Sequence, residues 1–157
     1  MRLSKIKIQN YRLLIDAESD VDEKTTLIVE RNNTAKTSCM DCIETVLNGK
    51  PFSYNDYPLV KREPLCNKIL EFMEKKITYD ELCEQLDVIS VEFTVDYSLD
   101  DSETNLGALS PFIIDVDIDT TTAVVRAEYR LKTEEKTLWD LFDKHCYDDS
   151  GVYSPKT

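Results

Sequence analysis

A short apolar run and the polar loop after it decide the fold of this chain: Thr26–Val29 (TLIV) and then Glu30–Ser38 (ERNNTAKTS). A phosphate-binding loop, or P-loop, has the pattern G-x-x-x-x-G-K-[ST] between a strand and a helix. Lys36 and Thr37 occupy the last two positions of that pattern, and the apolar spacing over 36–47 is typical of an amphipathic helix. The stretch therefore predicts a strand–loop–helix unit of the P-loop type.

The two glycine positions of the pattern hold Glu30 and Ala35. Glycines let successive backbone N–H groups turn towards the phosphates, because a side chain there would clash or force an unfavourable φ. Ala35 adds only a methyl group, which is tolerated where the backbone stays near helical φ. Glu30 brings a negative charge towards a polyphosphate, a repulsion of about 1 kcal/mol at roughly 4 Å even in bulk water. We therefore expect a phosphate-binding loop that keeps the strand–loop–helix arrangement but binds phosphate less well than a loop with both glycines.

Lys36 and Thr37 keep the chemistry of the pattern. In P-loops the lysine ammonium reaches the β- and γ-phosphates, and the Ser/Thr hydroxyl is a ligand of Mg²⁺. The N-terminus of the following helix adds a partial positive charge. We expect Lys36 to contact phosphate and Thr37 to bind Mg²⁺ through the nucleotide, so that ATP and Mg²⁺ are the implied ligands, bound weakly or lost because of Glu30.

Other segments carry a resemblance to a known family. The opening strand runs into Asn10–Arg12 (NYR), which resembles the first strand and Asn-Phe-Arg of the SMC/RecF-like branch of ABC-type ATPases. Leu47–Pro58 (LNGKPFSYNDYP) is similar to the OLD (overcoming lysogenisation defect) family of that branch, ATPases that usually carry a C-terminal Toprim nuclease. Leu106–Asp115 and Thr122–Tyr129 fit the β-subdomain of the same family.

The resemblance implies an α/β fold: an incomplete P-loop NTPase lobe, ABC-ATPase-like, with an antiparallel β-subdomain and flanking helices. It also implies that Arg12 lies near the nucleotide. The predicted nucleotide-binding residues are Arg12, Asn32, Asn33, Ala35, Lys36, Thr37 and Ser38.

Several motifs of such ATPases do not occur in this sequence. It has no Walker B run ending in Asp-Glu, no signature motif and no Toprim acidic set, and neither Gln9 nor Gln85 follows a strand suitable for a Q-loop. We expect a truncated ATPase N-terminal domain over 1–147, a frayed polar tail over 148–157, and no hydrolysis by this chain alone. The alternative is a non-catalytic interaction module or decoy that pairs with an intact ATPase; a third possibility is a folded remnant without activity.

Composition limits the partners. A net charge of −12 opposes direct binding of nucleic acid, since phosphate neutralisation dominates that affinity. DNA is therefore expected only through a larger assembly, with a homodimer or an intact ATPase as the possible protein partner. No run approaches the roughly 18 apolar residues of a membrane span, and the charged N-terminus is not a signal peptide. Five cysteines without a secretory signal predict reduced thiols and a cytoplasmic location.

Periodicity and turn signals predict the remaining elements. The predicted strands are 2–9, 13–20, 25–29, 88–99, 112–119 and 123–132. The predicted helices are 36–47, 64–75, 78–85 and 133–145, and Pro64 starts the second. The first helix has an apolar stripe of Met40, Ile43, Val46 and Leu47 and a C-terminal stop at Asn48-Gly49. Thr78–Glu81 is a predicted capping box for the third helix. In the fourth, Leu138, Leu141 and Phe142 are expected to face inward, with Trp139 also in the core.

Two groups of residues, one of aspartates and one of cysteines, have spacings that also occur in metal-binding sites. Asp115, Asp117 and Asp119 share one face of a predicted strand, but the residues that an EF-hand loop requires do not follow, so a solvated face is the favoured interpretation. Cys39-x-x-Cys42 lies on the predicted helix without a second pair, so buried or incidental thiols are favoured over zinc.

Overall fold

A four-stranded antiparallel sheet forms the centre of the computed structural model, which describes residues 2–26, 35–97 and 121–145. The strands are β1 (Arg2–Tyr11), β2 (Leu14–Asp20), β3 (Ile89–Asp96) and β4 (Thr122–Tyr129), in the order β2-β1-β3-β4. Four of the predicted strands are thereby confirmed, and their ends differ from the predicted ones by up to three residues. Of the predicted strand 25–29 only 25 and 26 are described, and neither belongs to a strand; the predicted strand 112–119 lies outside the described residues.

The sheet has one apolar and one polar face. Ile6 and Ile8 of β1 lie opposite Phe93 and Val91 of β3, and together they build the apolar face. The alternate positions carry charge, and one row across all four strands reads Glu18, Lys7, Glu92 and Arg126. Alternating signs make neighbours in this row attractive, although exposed ion pairs contribute only about 0–1 kcal/mol each. Burial of the apolar face therefore sets the register.

Helix α1 (Lys36–Leu47) packs on the apolar face and has the predicted bounds. Cys42 is fully buried, and Ile43 and Val46 pack beside it against the core. Met40 and Leu47, which also belong to the predicted apolar stripe, are 55% and 73% exposed. The buried face of α1 is centred on Cys42. The predicted apolar stripe therefore included two residues, Met40 and Leu47, that lie outside the buried face.

The predicted C-terminal stop of α1 is confirmed. Gly49 has a φ of +62°, which glycine adopts without a side-chain penalty. Its N–H donates to the carbonyl of Val46, and that of Lys50 donates to the carbonyl of Thr45. These two bonds form a Schellman motif, which satisfies the last carbonyl groups of the helix.

The prediction that Pro64 starts a helix is wrong. Helix α2 (Leu59–Met73) begins after Pro58, so Pro64 lies inside it. A proline at that position removes only the hydrogen bond to the carbonyl of Val60, and the side chain of Val60 is 70% exposed. The early position of the proline keeps this disruption close to the helix start.

Helices α3 (Tyr79–Gln85) and α4 (Glu135–His145) complete the described fold. The predicted capping box of α3 is present: Glu81 N–H donates to Thr78 Oγ1, and Thr78 N–H donates to Glu81 Oε2. Tyr79 donates a hydrogen bond from its hydroxyl to the carbonyl of Thr133, which joins α3 to the segment before α4.

A second apolar cluster, the aromatic cluster, joins α2, α3 and α4. It consists of Phe72, Tyr79, Trp139 and Phe142. Phe72 is 2% exposed, and its ring centroid lies 4.8 Å from that of Trp139 and 6.4 Å from that of Phe142. Trp139 and Phe142, which were predicted in the core, contact Phe72 but are only half-buried. Leu141, also expected inward, is 45% exposed.

Candidate nucleotide-binding site

The predicted phosphate-binding residues Lys36 and Thr37 lie in the first turn of α1, and both are exposed. Ser38 follows with its side chain only 8% exposed, turned into the protein. Asn32 and Asn33 lie outside the described residues, as does Glu30. The contacts that these residues make with a nucleotide stay predictions.

The start of α1 has no side-chain cap from the described residues. Ala35 is the N-cap residue with φ −60° and ψ 0°, and no side chain among the described residues accepts a hydrogen bond from the cap. The first turn contains no acidic residue. Uncapped N–H groups at a helix N-terminus carry partial positive charge and attract anions. Because the φ of Ala35 is helical, its methyl group causes no backbone strain. This agrees with the expectation that alanine is tolerated at this position.

The ammonium group of Lys36 and the hydroxyl group of Thr37 are the kinds of group that bind the phosphates and the Mg²⁺ of a nucleotide. Lys36 has no ion pair with any other described residue, so its ammonium is not neutralised within that part of the chain. The described residues contain no cluster of His, Cys, Asp and Glu able to hold a metal by themselves. The role of the Thr37 hydroxyl as a ligand of a Mg²⁺ ion that enters with the nucleotide stays a prediction.

The Asn10–Arg12 segment forms a tight turn at the end of β1. Asn10 and Arg12 have φ values of 57° and 49°, a left-handed conformation that costs a non-glycine residue on the order of 1 kcal/mol. The turn of the backbone at Asn10 places Tyr11 in the core at 1% exposure, although Gln9 and Lys7 before it face the other way. Side-chain contacts of the segment offset its backbone cost.

Each residue of the segment contacts a different part of the fold. Asn10 Nδ2 donates to the carbonyl of Val88, just before β3, at 2.9 Å. The ring of Tyr11 packs on that of Phe52 with centroids 5.4 Å apart. Burial raises the pKa of the Tyr11 hydroxyl above its usual value. The family-like triplet is thus a structural junction in this chain.

Arg12 joins three segments. Its Nη1 donates to Asp41 Oδ2 of α1 at 2.8 Å, and its Nε donates to Asp56 Oδ1 at 3.1 Å. Its backbone N–H donates to the carbonyl of Asp56 at 2.6 Å. The guanidinium also lies over the ring of Tyr11, with Cζ 5.0 Å from the centroid. Whether Arg12 also lies near a nucleotide stays a prediction.

Asp56 is itself held in place. It ends a 3₁₀ turn, Tyr54–Asp56, and its carboxylate accepts hydrogen bonds from the N–H and the hydroxyl of Ser53, both at 2.9 Å. Partial burial would raise the pKa of Asp56, but the Ser53 bonds and the Arg12 guanidinium outweigh it and lower that pKa below its usual value. Ser53-x-x-Asp56 fits the capping-box pattern, a sequence signal that could have predicted this turn. No sequence signal marks Asp41.

The cysteine pair of α1 behaves as the favoured interpretation expects. Cys42 is fully buried in the core, and burial raises the pKa of its thiol to about 12. Cys39 packs against the same core. The aspartates of 115–119 lie outside the described residues.

The described residues form a mixed α/β domain, in which an antiparallel sheet is flanked by helices and a lysine and a threonine lie in the exposed first turn of α1. A family model described as AAA ATPase domain matches residues 1–154, and the chain belongs to this family, which supports a fold of the P-loop NTPase-like class. It is therefore an ATPase-type nucleotide-binding module, of a family that generally binds ATP with Mg²⁺. No curated protein and no solved structure matches the chain. None of the helices in the described residues is long and apolar enough to cross a membrane.

Proposed function

We propose that this chain is the N-terminal nucleotide-binding lobe of an OLD/SMC-like ATPase of the ATP-dependent nuclease type. The observation that carries the proposal is the start of α1: it begins at Lys36, exposes Lys36 and Thr37, and has neither a side-chain cap nor an acidic residue in its first turn. The family match supports ATP as the ligand. The resemblance of Asn10–Arg12 and Leu47–Pro58 supports the narrower assignment.

The proposed roles follow from the chemistry of each group. Lys36 donates to the phosphates, and Thr37 binds the Mg²⁺ that accompanies them. Asn32 and Asn33 line the loop between strand and helix. Hydrolysis is not expected from this chain by itself, because the sequence lacks the Walker B acids that would orient and polarise water. DNA is engaged only through a larger assembly, since the net charge is −12.

Calorimetric titration with Mg-ATP tests this proposal. Lys36→Ala should weaken binding by at least tenfold, because a hydrogen bond to a charged group contributes about 1.5–3 kcal/mol. Lys50→Ala is the matched control: it removes the same charge from just beyond the opposite end of α1, where Lys50 is exposed, and it should leave the affinity unchanged. The double variant Glu30→Gly/Ala35→Gly should bind more tightly than the natural sequence. Absence of binding by both the natural chain and the double variant would refute the proposal.

A non-catalytic interaction module is the second candidate. Glu30 at the first glycine position of the loop favours it, as do Leu59 and Val60 at the start of α2, which are 77% and 70% exposed. In this function the fold pairs with an intact ATPase or with a second copy of itself. Sedimentation of the purified chain, alone and with a full-length ATPase of the family, distinguishes the two candidates. A chain that stays monomeric, does not bind such a partner and does bind Mg-ATP would support the function of a nucleotide-binding lobe.

A further inference from the structure

The contacts of Arg12 connect the hairpin turn to the helix that carries Lys36. Asp41 lies five residues after Lys36 on α1, which corresponds to about 7.5 Å along the helix axis. Cys42, next to Asp41, is fully buried and anchors α1 on the sheet. Ile43 and Val46 pack beside it, so the apolar contacts fix the position of α1 on the core. The ion pair of Arg12 with Asp41 adds a polar contact on the partly exposed side of the same helix turn.

One of the two carboxylate partners of Arg12 is itself held by hydrogen bonds. Asp56 is oriented by Ser53 and has a side chain only 17% exposed, so it holds Nε of Arg12 in one position. From that position Nη1 reaches Asp41 at 2.8 Å. The stacking of the guanidinium on Tyr11, itself in the core, limits its movement further.

We propose that Arg12 is a positioning residue for the phosphate-binding helix: it acts on the nucleotide site through Asp41 and Asp56, without touching the nucleotide. The part of this inference that concerns ATP rests on the proposed function. The left-handed backbone at Arg12 agrees with it, since this conformation lets the backbone N–H and the side chain bind Asp56 together. The contacts of Arg12 with Asp41 and Asp56, called the brace below, join residues that are far apart in the sequence. They therefore exist only in the folded chain.

The sign of one substitution separates this proposal from direct contact. Asp41→Asn removes a negative charge from α1, so electrostatics alone predicts equal or tighter binding of an anionic nucleotide. If Arg12 touched the nucleotide, loss of Asp41 would also leave Arg12 freer to do so. If Arg12 positions α1, Asp41→Asn weakens Mg-ATP binding roughly two- to fivefold, the range expected for a partly exposed ion pair.

The experiment compares Arg12→Gln, Asp41→Asn, the double variant and Glu44→Gln by calorimetry with Mg-ATP. Glu44→Gln is the matched control, because Glu44 is an exposed carboxylate of the same helix whose nearest cation, Lys50, is 3.9 Å away. The proposal expects Arg12→Gln and Asp41→Asn to weaken binding similarly, the double variant to be no worse than either, and the control to bind at least as well as the natural chain. Tighter binding by Asp41→Asn, or additive losses in the double variant, would overturn it.

Hydrogen exchange on the nucleotide-free chain provides an independent readout. The proposal expects faster exchange in the first turns of α1 for Arg12→Gln and Asp41→Asn, and no change for Glu44→Gln. This result is independent of ATP, so a chain that binds no nucleotide refutes the proposed function while the exchange data still decide the brace. Unchanged exchange in α1 for both variants would refute the brace itself.

Discussion

Replacement of Phe72 by alanine tests how the second half of the fold is held together. Phe72 is 2% exposed and contacts the rings of Tyr79, Trp139 and Phe142. A buried Phe→Ala change costs about 3–5 kcal/mol, which includes the cavity that it leaves. Trp139 and Phe142 are only half-buried, so water can reach the vacated space, and we expect the lower end, about 3 kcal/mol.

Trp139 is the single tryptophan of the chain and lies in direct contact with Phe72, so it provides the assay. Urea unfolding is followed by Trp139 emission and by far-ultraviolet circular dichroism on the same samples. Phe72→Ala should shift the emission of the native state to the red and lower the free energy of unfolding by about 3 kcal/mol. Leu70→Ala on the same helix is the control: Leu70 is 38% exposed, and the cost should stay below about 1 kcal/mol. A loss under 1 kcal/mol for Phe72→Ala with unchanged emission would show that the aromatic cluster does not hold α4.

Three further predictions follow from single sites. Hydrogen bonds and a nearby guanidinium lower the folded-state pKa of Asp56, against the effect of its partial burial. Its contribution to stability is therefore complete above about pH 5 and is lost as the pH falls through the folded-state pKa. The difference in free energy of unfolding between the natural chain and Asp56→Asn should accordingly shrink below about pH 4. Mass-resolved thiol labelling at pH 8 should modify the exposed Cys66 and Cys83 at once and Cys42 only after unfolding, because burial raises the pKa of Cys42 to about 12; rapid native labelling of Cys42 would contradict its placement in the core. Thr78→Ala should cost about 1 kcal/mol, because Thr78 caps α3 with its hydroxyl, and an unchanged urea midpoint would show that the cap contributes nothing.

Local signals predicted local structure well. The bounds of α1, its Gly49 stop and the Thr78 capping box are present as predicted, since each depends on neighbours a few residues apart. The start of α2 was predicted five residues too late. Proline is favoured in the first turn of a helix but is also accommodated shortly after it, and the sequence does not distinguish the two cases.

Contacts over long sequence distances could not be predicted in this way. Arg12 pairs with carboxylates 29 and 44 residues away, and only the fold brings Asp41 and Asp56 to one guanidinium. The resemblance drew attention to Asn10–Arg12 and implied a place near the nucleotide. The structure adds the specific physical contacts of that triplet: a bond to the start of β3, a ring in the core, and ion pairs to α1 and the 3₁₀ turn.

The two glycine replacements in the loop have unequal physical consequences. Ala35 adopts a helical φ of −60°, and at such a position alanine in place of glycine stabilises the folded chain by about 0.4–1 kcal/mol, because it restricts the unfolded state. That replacement favours the start of α1. The predicted phosphate loop also contains Glu30, whose negative charge would oppose an anion by about 1 kcal/mol at roughly 4 Å even in bulk water. We therefore expect the energetic cost to nucleotide binding to lie with Glu30 and not with Ala35.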